Sequence, residues 1–332
     1  MRTVRDTDHV QIDSWLTEDD ERSLANDVLD GLTKPFKELA PKHFYDARGS
    51  ELFERITELP EYYPTRAEMS ILRTHAAEIV AATGAGELVE LGSGASDKAR
   101  LLLDAMAANR SLHRYIPLDV STTVVEDAVR ILVAEFPRLQ VHGVVGDLER
   151  HLEHVPPAQP GVARLVALLG GTIGNFPPGT RRGVLARMAT LLGPEDRLLL
   201  GTDLVKRPEV IEAAYNDSAG VTAEFNRNVL RVINRELGGD FDPEAFAHVA
   251  FFDRVHEWIE MRLRAMRPMS VRIADLDLRV HFAAGEELRT EISAKFTRER
   301  ITGDLEAAGL ELESWLTDPR DLFAVSVARP SR

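Results

Sequence analysis

The sequence predicts an α/β protein: a mostly parallel sheet with helices on both faces, joined to a smaller α+β lobe. Three observations carry this. Short apolar runs alternate with helical periodicities from residue 65 to about 203, a glycine turn follows the first run, and the pattern changes between 205 and 293. Taken in order, Thr65-Arg66-Ala67-Glu68 has capping-box spacing and opens a helix with Met69, Leu72, Ala76 and Ile79 on one face. Gly84 and Gly86 end it. Strands are expected at 87–92, 113–119, 139–146, 164–170 and 197–203, separated by helices near 97–108, 123–136 and 179–192. Helices follow at 208–217 and 221–237. The segments 257–265 and 276–282 alternate through Ile259, Met261, Leu263 and Leu276, Leu278, Val280, Phe282, as antiparallel strands with one wet face do. A helix at 298–308 and a hairpin of 310–316 with 322–328, broken by Asp318-Pro319, close the chain. The expected domains are therefore 65–204 with 294–332, carrying the sheet, and 22–64 with 205–293, carrying the second lobe.

With 332 residues, 44% of them hydrophobic, the chain can bury a large core. No apolar run approaches the 20 or so residues of a membrane span, and the first residues, MRTVRDTDHV, are polar, so a soluble cytoplasmic protein without membrane contact is expected. The absence of cysteine excludes disulfides, thiolate zinc sites and cysteine nucleophiles. A net charge of −14 disfavours nucleic acid, whose affinity comes from clustered Lys and Arg. A small molecule is the expected partner and a monomer the expected state. His151 and His154 share helical spacing but have no evident third ligand, so no metal site is assigned.

Ligands of such sheets bind beyond the carboxyl ends of the strands, which directs attention to Gly92, Gly94, Asp119, Asp147 and Asn175. In VELGSGASDK (89–98), Gly92 and Gly94 fit the first two positions of a dinucleotide loop, but the third is Asp97. A glycine turn lets backbone approach a ligand, and the following helix N-terminus receives negative charge. Asp119 can accept both ribose hydroxyls of a nucleoside, as an acid in an NAD site also would. A pyrophosphate favours the third glycine for close helix packing. Here Ser96 or Asp97 can cap the helix instead, and Lys98 in its first turn suits a single terminal carboxylate such as that of S-adenosylmethionine. A solvated surface lysine is the plain alternative. Asp147 stands where an acid could meet an adenine amino group or cap a helix.

Glycines and acids at successive strand ends resemble the S-adenosylmethionine-dependent class I methyltransferases, whose Rossmann-like, mostly parallel seven-stranded sheet ends in an antiparallel hairpin. Longer blocks narrow the resemblance. FYDARGSELFERITELPEYYPTR (44–66), VELGSGASDK, GGTIGN (170–175), GTDLVK (201–206), AGVTAEFNRNVL (219–230), IEMRLRA (259–265) and FAAGEELRTEISAKF (282–296) look like the histidine N-alpha-methyltransferase family of ergothioneine biosynthesis. The resemblance implies trimethylation of the α-amino group of L-histidine to hercynine. It implies that Tyr62, Gly92, Gly94, Lys98, Asp119, Asp147 and Leu148 hold S-adenosyl-L-methionine. It further implies that Asn175 and Tyr215 grip the substrate carboxylate, and that Glu291 and Ser293 read the imidazole beside Met261, with Tyr62 also touching substrate. One position departs: Gly171 stands where GSTIGN would carry serine.

Methyl transfer from a sulfonium is an in-line displacement that needs an unprotonated amine and alignment, not a strong base. An amino group titrates near about 8 to 10, so the site need only select the neutral fraction. Tyr45 and Tyr62 are the catalytic candidates, relaying the proton through water or orienting the amine, and their faces suit the cation that accumulates. Glu291 and Ser293, two apart in an alternating segment, share a face, where a carboxylate and a hydroxyl can satisfy both ring nitrogens. A solvent-facing polar stripe is the plain alternative there, as a turn residue is for Asn175 and an apolar helix face for Tyr215. The competing functions are methylation of another amino acid or small amine, an NAD-dependent oxidoreductase, and a noncatalytic cofactor-binding regulator.

Overall fold

The computed structural model describes residues 2–7, 9–16, 18–94 and 97–331. It divides into two compact units, one formed by 1–17, 67–204 and 296–332, the other by 18–66 and 205–295.

The first unit is built on a nine-stranded sheet. Its order is Arg2–Thr7, Val10–Ser14, Gln140–Val145, Arg114–Asp119, Ala85–Leu91, Ala163–Leu168, Arg197–Asp203, Phe323–Pro330, Leu310–Thr317. The five central strands run parallel, and the last two form the antiparallel hairpin expected at the carboxyl end. All seven residues of Ala85–Leu91 are buried, as a parallel central strand requires. Even Glu87 is enclosed, its carboxylate taken by Arg114 and Arg164 from the neighbouring strands. The helices Pro64–Thr83, Asp97–Ala108 and Thr122–Glu135 lay Ile71, Leu72, Val80, Leu102, Leu103, Met106 and Leu132 into the core against Leu88, Tyr115 and Leu165. Ser121 caps Thr122–Glu135 by accepting from Val124 N–H, and Thr297 caps Arg298–Ala307 through Arg300 N–H. In the closing hairpin, Asp318 accepts from the N–H groups of Arg320, Leu322 and Phe323 and so builds the turn that Asp318-Pro319 signalled.

In this unit two features differ from expectation, and in the second unit Phe246–Asp253 and Met269–Ile273 are further strands that the sequence did not mark. The sheet gains two edge strands from the polar N-terminus, where Val10 and Ile12 supply the buried positions and Val10–Ser14 pairs in parallel with Gln140–Val145. Glu68 opens no capping box either. Its fully buried carboxylate accepts instead from Gly170 N–H at 2.8 and 2.9 Å.

The second unit holds a four-stranded sheet in the order Lys37–Glu38, Glu287–Ala294, Trp258–Ala265, Phe246–Asp253, together with a separate hairpin of Met269–Ile273 and Leu278–Phe282. Helices Ala47–Glu58 and Val221–Leu237 pack together, the latter capped by Asp217, which accepts from Val221 N–H at 2.9 Å and Thr222 N–H at 2.7 Å. Ile259, Met261 and Leu263 are buried as the alternation required. The opposite face is not simply wet: Glu260 is 2% exposed and accepts from Trp258 Nε1 and Arg262 Nε, while Phe36 and Phe251 flank the Arg262 guanidinium.

Candidate active site

In the first unit the carboxyl ends of the strands gather Gly92, Gly94, Lys98, Asp119, Asp147, Leu148 and Asn175 at one edge of the sheet. Gly92 and Gly94 take φ of +72° and +48°, the left-handed region that favours glycine. A Cβ on either would meet no atom of the described residues beyond its chain neighbours within 4 Å, so the loop leaves open space at its backbone. Asp119 anchors it, accepting from Gly94 N–H at 3.4 Å and Ser121 N–H at 3.0 Å. Burial pushes the Asp119 carboxyl above the usual range. Ser93 Oγ is buried, with no hydrogen-bond partner among the described residues. Asp147 accepts from Glu149 N–H at 2.7 Å, so its carboxylate shapes its own turn, while His151 Nδ1 accepts from Asp147 N–H at 2.9 Å. His151 and His154 belong to a ring stack that ends on Trp15.

Lys98 is no solvated surface lysine. Its ammonium lies 2.7 Å from the fully buried Glu68 carboxylate and keeps only 23% of its side chain exposed. Glu68 thus ties Lys98 to Gly170, the start of GGTIGN. Gly201 makes this possible, since a Cβ there would lie only 2.0 Å from Glu68 Oε1. Ser96, the alternative cap for this helix, lies outside the described residues. Glu90, behind the loop, accepts from Tyr115 Oη at 2.5 Å, and burial pushes its carboxyl up to about 8. At the departure from the family pattern, Gly171 has φ +71°, which glycine adopts without strain. Asn175 ends the short helical turn Thr172–Asn175 and is half-buried.

The second unit brings together Tyr62, Tyr215, Met261, Glu291 and Ser293. Strand pairing sets Met261 opposite Glu291 and Ile259 opposite Ser293, so these four share a face. The register slips just beyond, leaving Thr290 as the extra residue of a bulge, with its Oγ1 at 2.6 Å from Asn226 Oδ1 and 3.0 Å from the Met261 carbonyl. Asn226 Nδ2 lies 2.9 Å from His248 Nδ1, and His248 Nε2 lies 2.9 Å from the Tyr215 carbonyl. Burial holds His248 below its usual pKa, so the neutral ring accepts from Asn226 and donates to Tyr215. This chain fixes the end of helix Pro208–Tyr215, where Tyr215 Oη donates to Ser293 Oγ at 3.0 Å. Lys295, with no exposed surface, donates to both hydroxyls, at 3.1 Å to Tyr215 and 2.9 Å to Ser293. Its ammonium also lies 4.7 Å from the Tyr215 ring centroid.

Glu291 keeps some accessible surface, yet desolvation pushes it up to about 7, opposed by the Lys295 charge. Tyr62 is buried, its ring packed edgewise on Phe53 and Tyr215. Tyr45 is 40% exposed and touches Phe53 and Phe225. Phe53 therefore stands between the two tyrosines that the sequence paired as catalytic candidates.

Sequence reasoning missed Glu68, Asn226, His248 and Lys295. Of these only Lys295 left a signal, since the period of two through Glu291 and Ser293 continues onto it.

The first-unit residues fit a nucleoside with a carboxylate tail. The open glycine backbone, the orphan Ser93 hydroxyl, the Asp119 carboxyl and the Lys98 ammonium supply close approach, hydrogen bonding and one cation. The chain is 53% identical over 306 residues to the histidine N-alpha-methyltransferase of Mycolicibacterium smegmatis, covering 92% of this chain and 94% of that protein. It is 50% identical to the corresponding protein of Mycobacterium tuberculosis with the same coverage. Ergothioneine biosynthesis protein 1 of Neurospora crassa is 34% identical over 224 residues, covering 63% of this chain and 26% of that protein. The model of a histidine-specific, SAM-dependent methyltransferase family matches residues 24–330. The NAD-dependent alternative falls with that match, and the chain belongs to the SAM-dependent histidine-specific methyltransferase family.

Proposed function

We propose that this enzyme transfers three methyl groups in succession from S-adenosyl-L-methionine to the α-amino nitrogen of L-histidine, giving hercynine, the first step of ergothioneine biosynthesis. The observation that carries the substrate assignment is the face of Met261, Glu291 and Ser293, a desolvated carboxylate beside a buried hydroxyl. An imidazole has one N–H and one bare nitrogen, and such a face can satisfy both.

Gly92, Gly94, Lys98, Asp119, Asp147 and Leu148 would hold the cofactor, with Tyr62 contributing its ring. The cofactor supplies an electrophilic sulfonium methyl. The protein's part is to bind, orient and deprotonate. Asn175 and Tyr215 are the candidates for the substrate carboxylate. Tyr62 and Tyr45 orient the amine or pass its proton to water, a step that needs no strong base because the neutral amine attacks. As methyls accumulate, the nitrogen becomes a permanent cation, and the faces of Tyr45 and Tyr62 would suit it. A monomer working in the cytoplasm on a small-molecule substrate is part of the same proposal; the net charge of −14 fits a small-molecule partner better than nucleic acid.

Calorimetric titration of histidine, with and without saturating S-adenosylhomocysteine, tests the assignment. Saturable histidine binding is expected, with glutamine and phenylalanine giving none. Equal binding of all three amino acids would contradict it.

A further inference from the structure

Ser293 Oγ accepts from Lys295 Nζ at 2.9 Å and from Tyr215 Oη at 3.0 Å, which fills both of its lone pairs. The proton Ser293 has to offer is therefore directed elsewhere. Tyr215 Oη likewise accepts from Lys295, at 3.1 Å. An ammonium only donates, so a lysine at this point commits both hydroxyls to acting as donors, and a hydroxyl that accepts from a cation donates more strongly. Glu291, two residues before Ser293 on the same face, is the complementary acceptor. Lys295 is fully enclosed and occupies the next position of the same alternation. A cation is buried at such a place only where its protons and its charge are both used.

We propose that Lys295 is a positioning residue for substrate recognition: its ammonium holds the Tyr215 and Ser293 hydroxyls as donors and supplies the counter-charge to Glu291, so that the face offers one donor and one ionised acceptor to the two nitrogens of a neutral imidazole. This rests on the histidine reading above. Ser293 donates to the bare ring nitrogen and Glu291 accepts from the ring N–H. Without the ammonium, Glu291 takes up a proton at higher pH and ceases to be the acceptor for the ring N–H. Met261, opposite Glu291 across the strand pair, is apolar and buried, and His248, hydrogen-bonded to the Tyr215 carbonyl, is kept neutral by burial and adds no charge. Lys295 is the charge acting on the carboxylate, holding down a pKa that burial raises.

The test is histidine binding by calorimetry between pH 6 and 8.5, with S-adenosylhomocysteine saturating, for wild type, Lys295→Met and Lys295→Gln. Lys295→Met is expected to weaken histidine about tenfold or more at pH 7.5 and to move the pH at which affinity is half lost upward by about one unit. S-adenosylhomocysteine affinity should match wild type. Lys295→Gln, which keeps a donor and loses the charge, should recover part of the affinity and none of the pH displacement; it also decides the matter if Lys295→Met does not fold. In a Glu291→Gln background the displacement should vanish. An unchanged pH profile in both variants, or loss of affinity without displacement, would overturn the proposal. Failure of the wild type to bind histidine would instead overturn the functional assignment on which it stands.

Discussion

Two glutamates illustrate what single residues contribute. Glu291 and Glu90 are both acids whose surroundings raise their pKa, to about 7 and about 8. Glu291 shares a strand face with Ser293 and feels the Lys295 charge, which suits the recognition role proposed for it. Glu90 is enclosed under the glycine loop with Tyr115 Oη as its donor, and it remains mostly protonated at neutral pH. The sign of the linkage is the reverse of the usual carboxylate. Because the folded pKa lies above the ordinary 4.5, the folded state holds the proton while the unfolded chain releases it, so Glu90 costs stability increasingly as pH rises from about 4.5 to about 8. Glu90→Gln keeps an oxygen that can accept from Tyr115 and removes the titration. Thermal midpoints measured at pH 5 and pH 8 should show the variant gaining on wild type as pH rises, and a constant difference between the two would disprove the burial of a titrating acid there. Glu291 and Ser293 were legible as a pair because a period of two puts them together, but the sequence supplied no reason to exclude a solvent-facing stripe. Lys295 escaped notice because a lysine next to an aromatic, just before a helix, reads as a surface residue; only the fold encloses it.

At the scale of elements, the residues proposed for the cofactor follow from strand ends. The glycine loop was legible because its turn needs φ values that few other residues adopt, and Asp119 because an acid ending the second strand has a chemical use. Glu68 was misread for a physical reason: Thr-x-x-Glu spacing is a local signal, whereas the carboxylate is claimed by Gly170 N–H and Lys98 from distant segments. The bulge at Thr290 left no local mark at all, since it is defined by pairing with Trp258–Ala265. Gly94→Ala tests the loop directly. Holding alanine left-handed costs about 1–2 kcal/mol, and its methyl would project into the space left open at the backbone. S-adenosylhomocysteine affinity should fall by about tenfold or more, beyond what the small stability loss explains. Wild-type affinity in this variant would remove the loop from the cofactor site.

For the whole molecule, the sequence marked the change of pattern near residue 205 and its return near 294, and the chain passes from one compact unit to the other at 204/205 and 295/296. The N-terminal strands were not legible, because Val10 and Ile12 are too few apolar positions to stand out in a polar stretch; the edge of Gln140–Val145 gives them their partner. The residues proposed for the cofactor lie mostly in one unit and those proposed for recognition mostly in the other. The reaction itself is the central claim. Purified protein should be incubated with L-histidine and excess S-adenosyl-L-methionine, and the products followed by mass spectrometry. Histidine should gain one, two and finally three methyl groups, all on the α-nitrogen, ending as hercynine; histidine left unmodified while another amine is methylated would contradict the account.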